Sequence, residues 1–142
     1  MSEPELPAVI AEAAAQLAGA WKLVSCDDRE DESSPWLSYG PDPHGLIVYD
    51  PSGTLSVHLV AEGPSPSSAG YLGYWGTFQV VGAAVDEHGI VGTVEHHMVG
   101  GSTQELLEEG PERAFRLEHD HLTLGDGRTS RRRLERIHRR PS

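Results

Sequence analysis

Cysteine is almost absent from this chain of 142 residues: Cys26 stands alone. A single thiol closes no internal disulfide and builds no cysteine-rich metal cage, so neither can hold the fold. Long hydrophobic runs are missing too. No stretch nears the roughly 20 apolar residues a helix needs to cross a bilayer. The opening MSEPELPAVIAEAAAQLAGAW is acidic where a secretory leader is basic. These absences lead us to expect a soluble, cytoplasmic protein with no membrane partner. The chain also lacks G-x-S-x-G, the P-loop, G-x-G-x-x-G and H-E-x-x-H, which leaves no motif for nucleotide, serine-hydrolase or zinc-peptidase chemistry.

Positive charge is scarce except in one place. Seven of the eleven Lys and Arg residues fall at Arg128, Arg131, Arg132, Arg133, Arg136, Arg139 and Arg140, and the net charge is −11. A basic tail can bind nucleic acid. Here an acidic body would repel phosphates, and no stacking aromatic lies among the arginines. The expectation is a basic last strand paired with acidic neighbours, and no nucleic-acid partner.

What is present is a short helix followed by strands. The length suits one domain over 1–142, with a helical segment at 1–18 and a β unit over 19–138. From Pro7 to Ala18, Val9, Ile10, Ala13 and Leu17 recur at helical spacing, and Gly19 stops the helix. Eight β-prone runs follow: Trp21–Asp27, Leu46–Tyr49, Thr54–Val60, Tyr74–Val81, Ile90–Val99, Arg113–Glu118, His121–Leu124 and Thr129–Ile137. Asp50-Pro51-Ser52-Gly53 predicts a hairpin between the second and third. Eight short strands with no long helix between them predict an all-β sandwich or barrel. An eight-stranded up-and-down barrel is just wide enough to hold one small ligand.

Alternation assigns faces. Trp21, Leu23 and Ser25 share one face of the first run, which leaves Cys26 outward and unsuited as a nucleophile. In the fourth run Tyr74, Gly76, Phe78 and Val80 share a face, and Trp75 lies outward as a candidate contact for a homodimer. In the fifth, Ile90, Gly92, Val94, His96 and Met98 form the more apolar face and are placed inside. An inward His96 can act as a general acid, a general base or a hydrogen-bond partner; the alternative is a neutral core histidine satisfied by a tyrosine or a carbonyl. Glu95 and His97 read as a solvated outer pair. His119 and His121 flank Asp120 in a turn without a third ligand, so no metal site is expected. Tyr49 offers a phenol to a ligand, or else packs at the barrel end.

The chain resembles the lipocalin-like domain family, a calycin-type β-barrel group. The segments that carry the resemblance are GAWKLVS (Gly19–Ser25), GPDPHGLIVYDPSGTLSVHL (Gly40–Leu59), YLGYWGTFQV (Tyr71–Val80), VEHH (Val94–His97) and ERAFRLEHDHLTL (Glu112–Leu124). They cover about residues 19 to 124 in order. The resemblance implies an eight-stranded antiparallel up-and-down barrel with a short N-terminal helix closing one end, where the Trp21 indole seals it. It departs at MVGGSTQELLEEGP, where relatives often carry a Pro-Asn-Trp-like segment. It further implies a polar pocket role for Ser56 and His58, and it aligns Arg113 with a family arginine that could hold a ligand carboxylate by parallel hydrogen bonds; otherwise Arg113 is a rim residue paired with Glu95 or Glu118.

Two function classes follow. In the first, the barrel binds a small apolar or amphipathic organic molecule without a cofactor, using Tyr49, Ser56, His58, Tyr74, Phe78, Val94, His96, Met98 and Arg113. In the second, it is a cofactor-free cyclase, isomerase or dehydratase of natural-product biosynthesis, with His96 moving a proton and Tyr74 or Arg113 stabilising an oxyanion. A third, an interaction module working through the basic C-terminus, would bind an acidic partner in a salt-sensitive way.

Overall fold

The computed structural model describes residues 6–29, 31–35, 37–38, 44–60, 71–101, 110–126, 128 and 130–138. Helix α1 spans Leu6–Leu17, one residue earlier at each end than the spacing suggests. Its inner face carries Ile10, Ala13, Ala14 and Leu17, and Ala13 and Leu17 are fully buried. Glu12 and Gln16 point to solvent. This is the one-sided apolar stripe that makes a short helix stable only when packed. Gly19 then adopts φ 131°, a region that favours glycine, and a Cβ there would stand 2.9 Å from the Arg136 guanidinium. Chain direction changes at this residue, and β1 begins.

The strands are β1 (Gly19–Asp28), β2 (Leu37–Ser38), β3 (His44–Tyr49), β4 (Thr54–Val60), β5 (Tyr71–Val85), β6 (Ile90–Gly101), β7 (Glu112–Glu118), β8 (His121–Leu124) and β9 (Ser130–Arg136). Neighbours pair antiparallel in the order β1-β3-β4-β5-β6-β7-β8-β9, and β9 returns to β1 from Trp21↔Arg136 to Asp28↔Ser130. Eight strands therefore close an up-and-down barrel, which shields the strand edges that an open sheet exposes. Each of the eight expected runs supplies one of these strands.

Three features depart from the sequence reading. The two-residue β2 pairs antiparallel with β1 at Asp27 and Asp28; two residues carry no periodicity to read. Strand β5 runs on to Val85 because a bulge between Val80 and Gly82 keeps it paired with β6. The third is a correction. A register shift between Leu23 and Ser25 leaves Val24 exposed and reverses the alternation beyond it, so Cys26 is buried rather than outward.

The expected β3–β4 turn forms. Asp50 N donates to Thr54 O and Gly53 N to Asp50 O, both at 2.9 Å, while the Asp50 carboxylate accepts from Ser52 N. This turn, the β5–β6 and β7–β8 hairpins and the start of β1 all lie at one end, and α1 crosses it against β5. The plug is Trp21, fully buried, whose indole donates to Leu17 O at 2.9 Å. The Arg136 guanidinium sits 4.2 Å above the ring centroid and donates to Ala18 O and Gln16 O. One cation thus covers the aromatic face and satisfies the carbonyls at the helix end.

The basic last strand pairs with acidic neighbours, as expected. Arg131 meets Asp27 at 3.1 Å, Arg128 meets Glu32 at 3.1 Å, and Arg136 meets Asp120 at 3.2 Å. Arg139 and Arg140 lie outside the described residues.

Candidate functional site

Burial along the inward rows falls from the plugged end toward the other. On β4, Leu55 and Val57 are buried and Leu59 is half-buried; on β6, Val94 and His96 are buried and Met98 is half-buried. Among the described residues the inward rows are therefore least buried at the end where β4, β6 and β8 finish, opposite the plug.

His96 is a buried polar side chain, 2 % exposed. It reaches that position because Ile90, Val94 and His96 alternate inward on β6, opposite Phe78 of β5. Two tyrosines meet it. Tyr49 Oη, at the end of β3, lies 2.7 Å from His96 Nε2. Tyr74 Oη, on β5, lies 2.8 Å from His96 Nδ1. Tyr49 is fully buried and Tyr74 is 8 % exposed. Phe78 packs edge-on against Tyr49, with ring centroids 4.9 Å apart. The wall is otherwise apolar here, with Val57 opposite Tyr74 and Val94 beside Arg113.

The electrostatics follow from this burial. Desolvation pulls the His96 pKa from 6.5 down to about 3, helped by the Arg113 charge and by neighbouring His97, so the ring is neutral at ordinary pH. Desolvation likewise pushes the Tyr49 phenol well above its usual value, and Tyr74 adds to the rise while Arg113 opposes it. The three rings form an uncharged hydrogen-bonded chain.

Arg113 alternates inward with Phe115 and Leu117 on β7 and is half-buried. Its Nη1 donates to Gly110 O at 2.6 Å and to Glu112 O at 2.9 Å. The carboxylates weighed as its partners are engaged elsewhere: Glu95 with His97 at 2.9 Å, Glu118 with Arg116 at 3.5 Å. Tyr49, Tyr74, Phe78, Val94, His96, Met98 and Arg113 therefore share the interior. Ser56 and His58 do not, and the expectation drawn from the resemblance is corrected. Leu55 and Val57 occupy the inward row of β4, so period-two alternation turns Ser56 and His58 to the outer face, where Ser56 Oγ and His58 Nε2 stand 2.9 Å apart. Trp75 is outward as expected, 54 % exposed.

Gly76, placed by alternation on the face of Tyr74 and Phe78, has a role the sequence reading did not assign. It lies inward opposite Met98 beside a register shift, and a Cβ there would stand 1.9 Å from His97 O. The signal was available: a glycine inside a β-prone run marks a close backbone approach. A separate open cleft of about 600 Å³ lies between α1 and the β3–β4 turn, lined by Ile10, Ala14, Pro51 and Val80, and it touches the site only through Phe78. Asp120 pairs with Arg136 at 3.2 Å and with His138 at 3.1 Å. Among the described residues no cluster of three metal-ligating side chains occurs. Among them also, no helix is long and apolar enough to cross a membrane.

Closure of eight antiparallel strands around an inward-facing polar chain defines an up-and-down β-barrel, an architecture suited to holding a ligand. A family model described as a lipocalin-like domain matches residues 18–70, the stretch that holds β1 through β4, so this part of the chain is similar to that family. No curated protein and no solved structure matches the chain.

Proposed function

We propose that the barrel binds a small apolar or amphipathic organic molecule in its interior, with the polar end of the molecule held near Tyr74, His96 and Arg113. The observation that carries this is the Tyr49–His96–Tyr74 chain, bonded at 2.7 and 2.8 Å within an apolar wall. Three polar rings add little to stability over well-packed apolar residues of the same shape, because their hydrogen bonds only replace those made to water. They do give an apolar cavity a direction, and a few placed polar groups are what orient a ligand. Tyr74 and Arg113 stand toward the end opposite the plug and Tyr49 toward the plug.

The alternative is a cofactor-free cyclase, isomerase or dehydratase with His96 as the proton carrier. A ring whose pKa is near 3 is a weak base at neutral pH, far from the value that suits general acid–base work. This favours binding. The test is to incubate the purified chain with an organic extract of its source cells and to follow bound and free compounds by mass spectrometry, beside a Tyr74→Phe, Arg113→Met double variant. A compound retained stoichiometrically and unchanged by the parent, and lost from the variant, is the expected result. A product that accumulates beyond the amount of protein would replace binding with catalysis. Equal retention by both chains, or by neither, would overturn the reading.

A further inference from the structure

Strands β3, β4 and β5 are neighbours in the barrel, and not one Asp, Glu, Lys or Arg occurs in them, in a chain that is 23 % charged. Their inward rows fill the core. Their outward rows make a face without fixed charge, in which Val48, Ser56 and Trp75 stand abreast and Thr54 and Thr77 form the next row. Charge returns at the margins, at Lys22 opposite Leu46 and at Glu95 opposite Gln79. Strands β7 and β9 carry paired charge instead, with Arg116 on Asp86 and Arg131 on Asp27, each at 3.1 Å. Trp75 is the largest side chain of the uncharged face. A Cβ at Gly100 would stand 2.7 Å from its indole nitrogen, so the ring lies against β6, yet more than half of the residue is exposed. A large ring already held in place loses little freedom when a partner covers it.

We infer that the outer face of β3, β4 and β5, centred on Trp75, is an interface between two copies of this chain. A second copy is the partner that this chemistry fits. At a net charge of −11, two copies repel wherever acidic sides meet, and this face brings no carboxylate to the contact. A partner recognised through charge, whether a nucleic acid or a basic protein, would find nothing here to pair with. A two-fold dimer also sets each group against its own equivalents, so the face must complement itself. Carboxylates only accept hydrogen bonds and guanidinium or ammonium groups only donate them, whereas hydroxyls and amides do both. Thr54, Ser56, Thr77 and Gln79 all carry groups of the two-way kind. Trp75 supplies the anchor, because interface cores are depleted in charge and enriched in aromatic rings. The outward rows of two such sheets can interdigitate as the inner faces of a β-sandwich do. The contact is independent of what the interior holds.

The test is sedimentation velocity of the full chain over a concentration series. The expected result is a reversible species of twice the 15.4 kDa chain mass. Its share should rise with added salt, because salt screens the repulsion between two acidic bodies and finds no ion pair in the contact to weaken. Thr77→Glu sets like charges near the two-fold axis and should raise the dimer dissociation constant at least about a hundredfold. Ser56→Glu repeats the test from β4. Thr123→Glu makes the same change on the outward row of β8 and should leave the constant as it is in the parent. Far-ultraviolet circular dichroism checks that each variant is folded. A parent that is monomeric at every concentration would overturn the proposal. So would a dimer that salt dissolves, or one that survives in both folded Thr77→Glu and Ser56→Glu.

Discussion

Trp21 and His96 are both buried, both hydrogen-bonded and both inside the barrel, yet they are held in different ways. The Trp21 indole can only donate, and its partner Leu17 O can only accept. Arg136 covers it with donors aimed at main-chain carbonyls. Every proton at the plugged end has one possible address. His96 instead bonds two phenols, each able to donate or accept. The first arrangement fixes the fold. The second fixes positions and leaves the direction of the hydrogen bonds to be set by surroundings, which suits a site that must answer to a ligand.

The comparison is broken most forcefully at the plug. Trp21→Ala removes a fully buried aromatic ring together with the surface on which Arg136 rests. The expected loss is about 3–5 kcal/mol, read as a shift in urea-unfolding midpoint. A loss below about 1 kcal/mol would show that the plugged end is held by the strands alone.

The next largest effect comes from acid. An unfolded histidine takes up a proton near its ordinary value of 6.5, while folded His96 resists until about 3. Between those values the unfolded chain binds more protons, so stability is fully present above the unfolded value and drains away as pH falls through the window. Going from pH 6.5 to about 4.5 is expected to remove roughly 2 kcal/mol through this one ring. Asp50 and Asp86, whose carboxyls are held low by hydrogen bonds from Ser52 and from His88 N, stay ionised across that range. The comparison chain is His96→Gln, which should lose this part of the pH slope. An unchanged slope in that variant would place the titration elsewhere.

How far the sequence revealed these two regions depends on the range of the contact. The inward row of β6 was legible because alternation is local: Ile90, Val94 and His96 announce their face within one strand. The β3–β4 hairpin was legible for the same reason, through Asp50 and Gly53. The parity of β1 beyond Val24 was not, because a bulge depends on the partner strand and β9 lies over a hundred residues away. Ser56 and His58 were misplaced when a resemblance was allowed to outweigh the Leu55–Val57 alternation beside them. A tyrosine partner for His96 was among the alternatives the sequence offered, but it did not identify Tyr49 as one. The bond joins residues 47 apart, and only closure of the barrel brings them together.

A finer test compares the two phenols. Tyr49→Phe leaves His96 Nε2 without its partner in a fully buried place, with an expected loss of about 1–2 kcal/mol. Tyr74→Phe removes the partner of Nδ1 at a less buried position, where water can more easily take its place, and should cost less. Urea unfolding of both variants measures the difference. The reverse order would move the accessible end of the chain from Tyr74 to Tyr49 and turn the site over.

The smallest effect is expected on the outside of β4, and it sharpens the comparison by defining where the interior stops. His58 bonds Ser56 on an exposed face, so the pair gains little from a hydrogen bond that water also offers. His58→Ala should change stability by no more than about 0.5 kcal/mol and leave ligand retention as it is in the parent chain. The measurement is decisive because strand parity links every residue of β4. If His58→Ala weakened retention as Tyr74→Phe is expected to, His58 would have to face inward. Leu55 and Val57 would then face solvent, and the apolar wall against which Tyr74 packs would no longer exist.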